Sequence, residues 1–154
     1  MVTVLRARFP ADAHEVARIF REYVSSPIAN LNFQNYESEF ANLPGQYAEP
    51  HGCILLARQQ HAVIGCAALR RVSDSTCELK RVYVRPGARG NRAGRQLVES
   101  MIREARDQGY SRMCLDVLPE FVAAQKLYAS LGFVAAQAVS YNPVPGTQFL
   151  ALPL

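Results

Sequence analysis

No run of apolar residues in this chain of 154 approaches the ~18 that a bilayer span requires. The three histidines, His14, His51 and His61, are scattered and form no metal constellation. The four cysteines, Cys53, Cys66, Cys77 and Cys114, sit singly in apolar, strand-like runs. No two of them have metal-ligand spacing, and nothing reads as a disulfide framework. The expectation is a cytoplasmic protein with reduced, buried thiols and no metal. The sequence offers no Ser-His-Asp arrangement, no Cys-His pair with supporting context and no Walker-type phosphate loop. Repeats, low-complexity tracts and linkers are absent too, so residues 1–154 read as one domain, large enough to bury a core. The N-terminus, Met1 to Pro10, alternates like a strand and lacks the apolar centre of a secretory leader.

The most informative absence is local. Between Leu79 and Val98 there is no acid, but there are six cations: Lys80, Arg81, Arg85, Arg89, Arg92 and Arg95. The chain as a whole carries 17 Lys+Arg and 13 Asp+Glu. Elsewhere it is therefore slightly acidic, and the net charge of +4 arises in this stretch. A local excess implies a local anion. A nucleic acid fits poorly, because the stretch lacks interleaved exposed aromatics. The same stretch has the layout of a phosphate site. An extended segment ends at Pro86, a loop with Gly87, Gly90 and Gly94 follows, and an amphipathic helix begins. That arrangement offers backbone N–H groups and the positive end of a helix to a phosphate.

Patterning supplies the other elements. Thr3–Arg8 reads as a strand ended by Pro10. Asp12, with Glu15 three residues on, reads as the capping box of a helix. The apolar stripe of that helix is Val16, Ile19, Phe20, Tyr23 and Val24. Ser25 to Gln34 reads as a loop and Tyr36–Leu43 as a short second helix. Gly52–Arg58 and Ala62–Val72 are strands joined by a tight turn near Gln59 and Gln60. A fourth strand spans Cys77–Val84. A helix over Asn91–Gln108 stops at Gly109, a strand follows over Arg112–Leu118, and a helix over Val122–Ser130 stops at Gly132. Strands over Phe133–Val139 and Gln148–Leu152 close the chain. The order β-α-α-β-β-β-α-β-α-β-β predicts an α/β fold with a mixed, largely antiparallel sheet of six or seven strands and four helices on its two faces.

Two motifs in that frame resemble the GNAT superfamily of acyl-CoA-dependent N-acetyltransferases. One is the loop Arg89-Gly90-Asn91-Arg92-Ala93-Gly94, similar to the family's Gln/Arg-x-x-Gly-x-Gly/Ala. The other is Leu127-Tyr128-Ala129-Ser130-Leu131-Gly132-Phe133, similar to the family's Leu-Tyr-x-x-Leu-Gly-Phe. The resemblance extends over the whole chain in element order, and Tyr141 to Phe149 resembles a tail seen in a subgroup of the family. Two positions depart from the pattern. Arg92 stands where glycine is usual, which implies an altered loop geometry. Phe121 stands where many members have asparagine.

The resemblance implies acetyl-CoA as co-substrate, with its pyrophosphate on the backbone of Gly90 to Arg95 and on the Arg89, Arg92 and Arg95 side chains. It implies that Val82, Tyr83 and Val84 pair their backbone with the pantetheine arm. From Glu78 to Val84 a strand runs about 20 Å at ~3.3 Å per residue, so one strand can hold the reacting end at its start and the phosphates at its exit. By periodicity Tyr128 is a core tyrosine; by resemblance it is the general acid that protonates the departing thiolate. Glu78 stays open to two readings, a base acting directly or through water, or a strand-end carboxylate paired with Lys80 or Arg70. Neighbouring positive charge would weaken it as a base. The acceptor side gathers Asn32, Phe33, Tyr36, Tyr47, Tyr141 and Asn142, which read equally well as solvated loop residues. Glu37, Glu39 and Glu49 are compatible with a cationic acceptor or with a solvated face. The expected activity is transfer of an acetyl group from acetyl-CoA to a primary amine of a small molecule or peptide. The alternative is an acyl-CoA-binding module without catalysis. No nucleic-acid or membrane partner is expected, and the resemblance points to a homodimer.

Overall fold

The computed structural model describes residues 1–26 and 36–154. Seven strands make one sheet in the order β1-β2-β3-β4-β5-β7-β6. They are β1 (Val2–Arg6), β2 (Cys53–Gln59), β3 (Ala62–Arg71), β4 (Thr76–Val84), β5 (Arg112–Val117), β6 (Val134–Ala135) and β7 (Gln148–Pro153). The helices are α1 (Ala13–Val24), α2 (Tyr36–Ala41), α3 (Ala93–Asp107) and α4 (Val122–Ser130). The sheet is antiparallel except between β4 and β5. Among the described residues, no helix is long and apolar enough to cross a membrane.

Two cores lie on the two faces. On one, the inward stripe of α3 (Leu97, Val98, Met101, Ile102, Ala105) packs on Leu55, Ala67, Leu69, Leu79, Met113 and Leu115. Each of these alternates along its strand with a residue that faces the other way, the period-2 rule of a pleated sheet. On the opposite face Val16, Ile19 and Phe20 of α1 and Phe40 of α2 pack on Ile54, Leu56, Cys66 and Ala68. All four cysteines are buried and unpaired by disulfide.

Several local expectations are corrected. Asp12 precedes α1 but its side chain makes no cap bond. Its Oδ2 instead accepts from the Arg8 amide at 2.7 Å, and Glu15 is drawn away to the Arg58 guanidinium. The hairpin between β2 and β3 turns at Gln60 and His61, both with positive φ, one residue later than expected. The strand expected over Phe133–Val139 shortens to Val134–Ala135. The chain then runs irregularly across the open end of the sheet, tied by Asn142 to Asp116 and by Ser140 to Glu78.

Candidate active site

The site exists because β4 and β5 pair over only three positions. Thr76, Cys77 and Glu78 stand opposite Arg112, Met113 and Cys114, and then the strands part. Beyond that point β4 keeps β3 on one side and turns unpaired backbone toward the gap on the other. A cleft of about 620 Å³ fills the gap. Its walls are Leu79–Val84 of β4, the 89–94 loop, Asp116 to Leu118 of β5, and the start and inner face of α4 up to Tyr128.

A β-bulge sets the chemistry of the β4 wall. Cys66 pairs with Tyr83 and Ala68 with Lys80, so Ala67 alone faces both Arg81 and Val82. Arg81 takes the left-handed conformation, φ 59°, and its carbonyl accepts from the Cys66 thiol at 3.2 Å. The bulge flips the alternation. Cys77 and Leu79 face the α3 side before it, and Val82 and Val84 face that side after it. Lys80 and Arg81 consequently both lie on the α1–α2 side. There Arg81, buried, makes a two-pronged ion pair with Glu39 of α2, at 3.0 Å from Nε and 2.9 Å from Nη2. Tyr47 donates its hydroxyl to the same carboxylate at 2.9 Å.

The basic stretch is therefore divided. Arg81 answers Glu39, and Arg85 pairs with Glu22 of α1 at 2.5 Å. These two cations serve the fold and leave the anion site to the loop. There Arg89 donates to the Val84 carbonyl at 3.0 Å and braces the exit of β4. Gly90 has φ 92°, a conformation that side chains resist. Arg92 immediately precedes α3 with φ 66°, the left-handed geometry that glycine would otherwise supply. The Asn91 side-chain oxygen accepts from the Ala93 amide at 3.2 Å. Arg95 reaches Ser130 Oγ at 2.7 Å and ties α3 to α4. At Gly94 a methyl group would find Val84 and Leu127 side chains at 3.8 and 3.9 Å, ordinary contact distance. Gly94 itself lines the cleft.

Tyr128 lies on α4, its ring 5.5 Å from Phe133. It is nearly buried and lines the cleft. Its hydroxyl has no hydrogen-bond partner among the described residues. No fully buried side-chain polar atom there is left unsatisfied, so this one opens on the cleft. Burial, reinforced by Tyr23 and Asp116, pushes its pKa well above the usual tyrosine range. Tyr23 packs on Tyr83 and stacks on Phe121, with centroids at 5.6 and 6.3 Å, and burial raises its pKa to about 12.

Glu78 is fully buried but does not line the cleft. Arg70 Nε donates to it at 2.6 Å and Ser140 Oγ at 2.9 Å. Among the acceptor-side expectations that fall on described residues, only Asn142 reaches the cleft. Its Nδ2 donates to Asp116 Oδ2 at 3.0 Å, and its Oδ1 accepts from the Val144 amide at 3.0 Å. Tyr36 packs tilted against Phe40 with ring centroids 5.7 Å apart, and Tyr141 is exposed. Phe33, with Asn32, lies outside the described residues. Glu37 and Glu49 pair with Arg21 and Arg6, and Glu39 with Arg81. These three carboxylates are thus engaged within the protein.

Sequence reasoning missed Asp116 altogether and treated Lys80 as one cation of six and a possible partner of Glu78, not as a residue of the site. The signal for Asp116 was present. It is a lone carboxylate in the apolar strand Met113-Cys114-Leu115-Asp116-Val117, and the period-2 rule places it opposite the core-facing residues.

Residues 14–133 match the Acetyltransferase (GNAT) family. An uncharacterized N-acetyltransferase of Schizosaccharomyces pombe is 34% identical over 155 residues, covering 99% of this chain and 95% of that protein. A GNAT-family acetyltransferase from Staphylococcus aureus superposes with a TM-score of 0.83 at 18% identity, over 99% of both chains. One from Elizabethkingia anophelis, solved with acetyl-CoA bound, gives 0.66 at 17% identity, over 99% of this chain and 98% of that one. The last two show a shared fold.

Proposed function

We propose that this chain, which belongs to the acetyltransferase (GNAT) family, moves an acetyl group from acetyl-CoA to a primary amine by direct attack of the amine on the thioester. The observation that carries the reading is the parting of β4 from β5 beyond Glu78, into a cleft that ends at the 89–94 loop. A pantetheine arm added beside Val82, Tyr83 and Val84 would satisfy unpaired strand backbone, as an added strand does. The pyrophosphate would then meet the Gly90–Arg95 amides and the start of α3, where positive partial charge is concentrated. Arg89, Arg92 and Arg95 border that position.

Bound there, acetyl-CoA supplies an activated acyl carbon and a thiolate leaving group. The amine nitrogen forms the new C–N bond as the C–S bond breaks. Tyr128 holds its proton at neutral pH because burial disfavours the phenolate; it donates that proton to the sulfur, and the proton that the acylated nitrogen sheds restores the phenol. The acceptor enters as an ammonium and must lose a proton first. We assign that task to the path past Asp116, which lines the cleft. Glu78, open in the sequence to a base or to a carboxylate paired with Lys80 or Arg70, is engaged with Arg70 and Ser140; we give it the role of fixing the irregular segment over the acceptor end.

The test is titration calorimetry with coenzyme A, followed by a thiol-release assay with acetyl-CoA against amines, amino acids and peptides. Binding plus amine-dependent thiol release is expected. Binding with no release for any amine would turn the reading to the binding module. No heat at all would remove the cleft as a coenzyme A site.

A further inference from the structure

The α1–α2 side of the cleft gathers several charged residues, and their partners divide them. Glu78 is neutralised by Arg70 and Arg81 by Glu39. Lys80 and Asp116 are left. Lys80 projects from β4 opposite Ala68 and lines the cleft. It makes no hydrogen bond or ion pair among the described residues. The charges it feels are Glu78, Arg81, Asp116 and Arg70, and burial lowers its pKa. Asp116 projects from β5, lines the same cleft and accepts from a neutral donor, Asn142 Nδ2. It too has no ion-pair partner among the described residues. The two stand on strands that have already separated, so they do not close on each other.

A half-buried cation and a carboxylate, each without an ion-pair partner among the described residues and facing one cavity from opposite walls, fit a ligand that carries both charges. Coenzyme A does not supply the match. Lys80 is four residues before the exit of β4, roughly 13 Å at ~3.3 Å per residue, which is far from the phosphate loop. The group that arrives at this end is the acceptor.

We propose that the acceptor is an amino acid, with its carboxylate held by Lys80 and its ammonium facing Asp116 beside Tyr128. The proposal rests on the acetyl-transfer reading and narrows its acceptor from amines at large to amines that also carry a carboxylate. Asn142 fixes the Asp116 carboxylate, and Val144 and Thr147 in turn hold Asn142. The irregular segment between β6 and β7 thereby shapes the ammonium side. A hydrogen-bonded contact with a charged group is worth roughly a 10- to 100-fold change in affinity.

The experiment compares L-alanine, L-phenylalanine and L-aspartate, each against its α-carboxamide. kcat/KM is measured by thiol release and referred to the neutral-amine fraction of each compound. In the wild type at least one acid should exceed its amide by about 10-fold or more. In Lys80→Met the ratio should fall toward unity, and Lys80→Arg should restore part of it. Binding of the N-acetyl amino acids and their amides, with coenzyme A present, is measured in parallel on the same proteins. A carboxylate preference that depends on Lys80 in binding, without turnover of any acceptor, would overturn the transfer reading and keep the subsite. Equal rates for acid and amide in the wild type, a preference that survives Lys80→Met, or no preference in either rate or binding would overturn the subsite.

Discussion

Replacing Tyr128 by phenylalanine separates chemistry from folding unusually well in this protein. The substitution removes one oxygen. That oxygen has no partner among the described residues and opens on the cleft, so its loss breaks no hydrogen bond within the protein. A hydroxyl without a partner contributes little to stability, and the Tyr128→Phe variant should unfold within about 0.5 kcal/mol of the wild type. The ring keeps its packing on Phe133. Proton donation to a leaving group is worth about 10²- to 10⁴-fold in rate, or about 2.7 to 5.5 kcal/mol at 1.36 per decade. The assay is single-turnover acetyl transfer under rapid mixing, so that product release does not hide the chemical step. Acetyl-CoA affinity should change little. Because burial raises the Tyr128 pKa above its usual value, the wild-type rate should not fall on its account between pH 7 and about 9.5, below the ordinary tyrosine value of ~10. A variant that transfers acetyl within about 3-fold of the wild-type rate would refute the acid role, since general acid catalysis accounts for more than that.

Gly94→Leu should raise the KM for acetyl-CoA by about 10-fold or more, with a thermal midpoint near wild type, because Gly94 lines the cleft and a Cβ there meets its neighbours at ordinary contact distance; unchanged coenzyme A binding by calorimetry would take Gly94 out of the site. Glu39→Gln leaves the buried Arg81 without its carboxylate and should cost about 3–5 kcal/mol in urea unfolding. A loss below about 1 kcal/mol would mean that solvent or a rearranged neighbour compensates. Burial raises the thiol pKa to about 12 for Cys53 and Cys77 and about 11 for Cys114. A group whose folded pKa lies above its unfolded value stabilises fully below the unfolded value, so stability should hold to about pH 8.5. It should then decline through pH 11–12, by up to ~1.4 kcal/mol per pH unit for each thiol. An aromatic disulfide reagent should label none of the cysteines before unfolding, and a urea midpoint flat from about pH 8 to 10.5 would refute the linkage.

The elements were legible where periodicity is strong and hidden where a local device breaks it. The stripes of α1 and α3 and the strands from Gly52 to Val84 follow from spacing, because each has one face to bury. The bulge at Arg81 does not. Its sequence, Leu79-Lys80-Arg81-Val82-Tyr83-Val84, counts as an unbroken strand, and only the pairing partner reveals that Ala67 faces two residues. The positive cluster was visible as a cluster, but its division was not. Glu39 and Glu22 lie 42 and 63 residues from the arginines they neutralise, and no spacing rule spans that distance. Asp12 and Glu15 have the form of a capping box, yet Arg58 and the Arg8 amide compete for both carboxylates. The hydrophobic staircase of α4 predicted Tyr128 as core, and core it is, with one edge on the cleft.

The bulge and the parting of β4 from β5 act as one device. Parting alone would open a slot lined by alternating side chains, with the residue after Lys80 turned to the α3 core. An arginine there would place an unpaired charge among Leu97, Met101 and their neighbours, at a cost of several kcal/mol. The extra residue turns Arg81 toward Glu39 instead and lets Val82 and Val84 face the α3 side. Lys80, just before the bulge, already lies on that side by regular alternation, next to an arginine whose charge is already answered. One inserted residue therefore separates the two ends of the cleft by chemistry. Beyond the bulge the β4 wall that faces α3 is apolar and its backbone is unpaired toward the gap, suited to a long ligand arm. Before it stands Lys80, a cation with no ion-pair partner among the described residues.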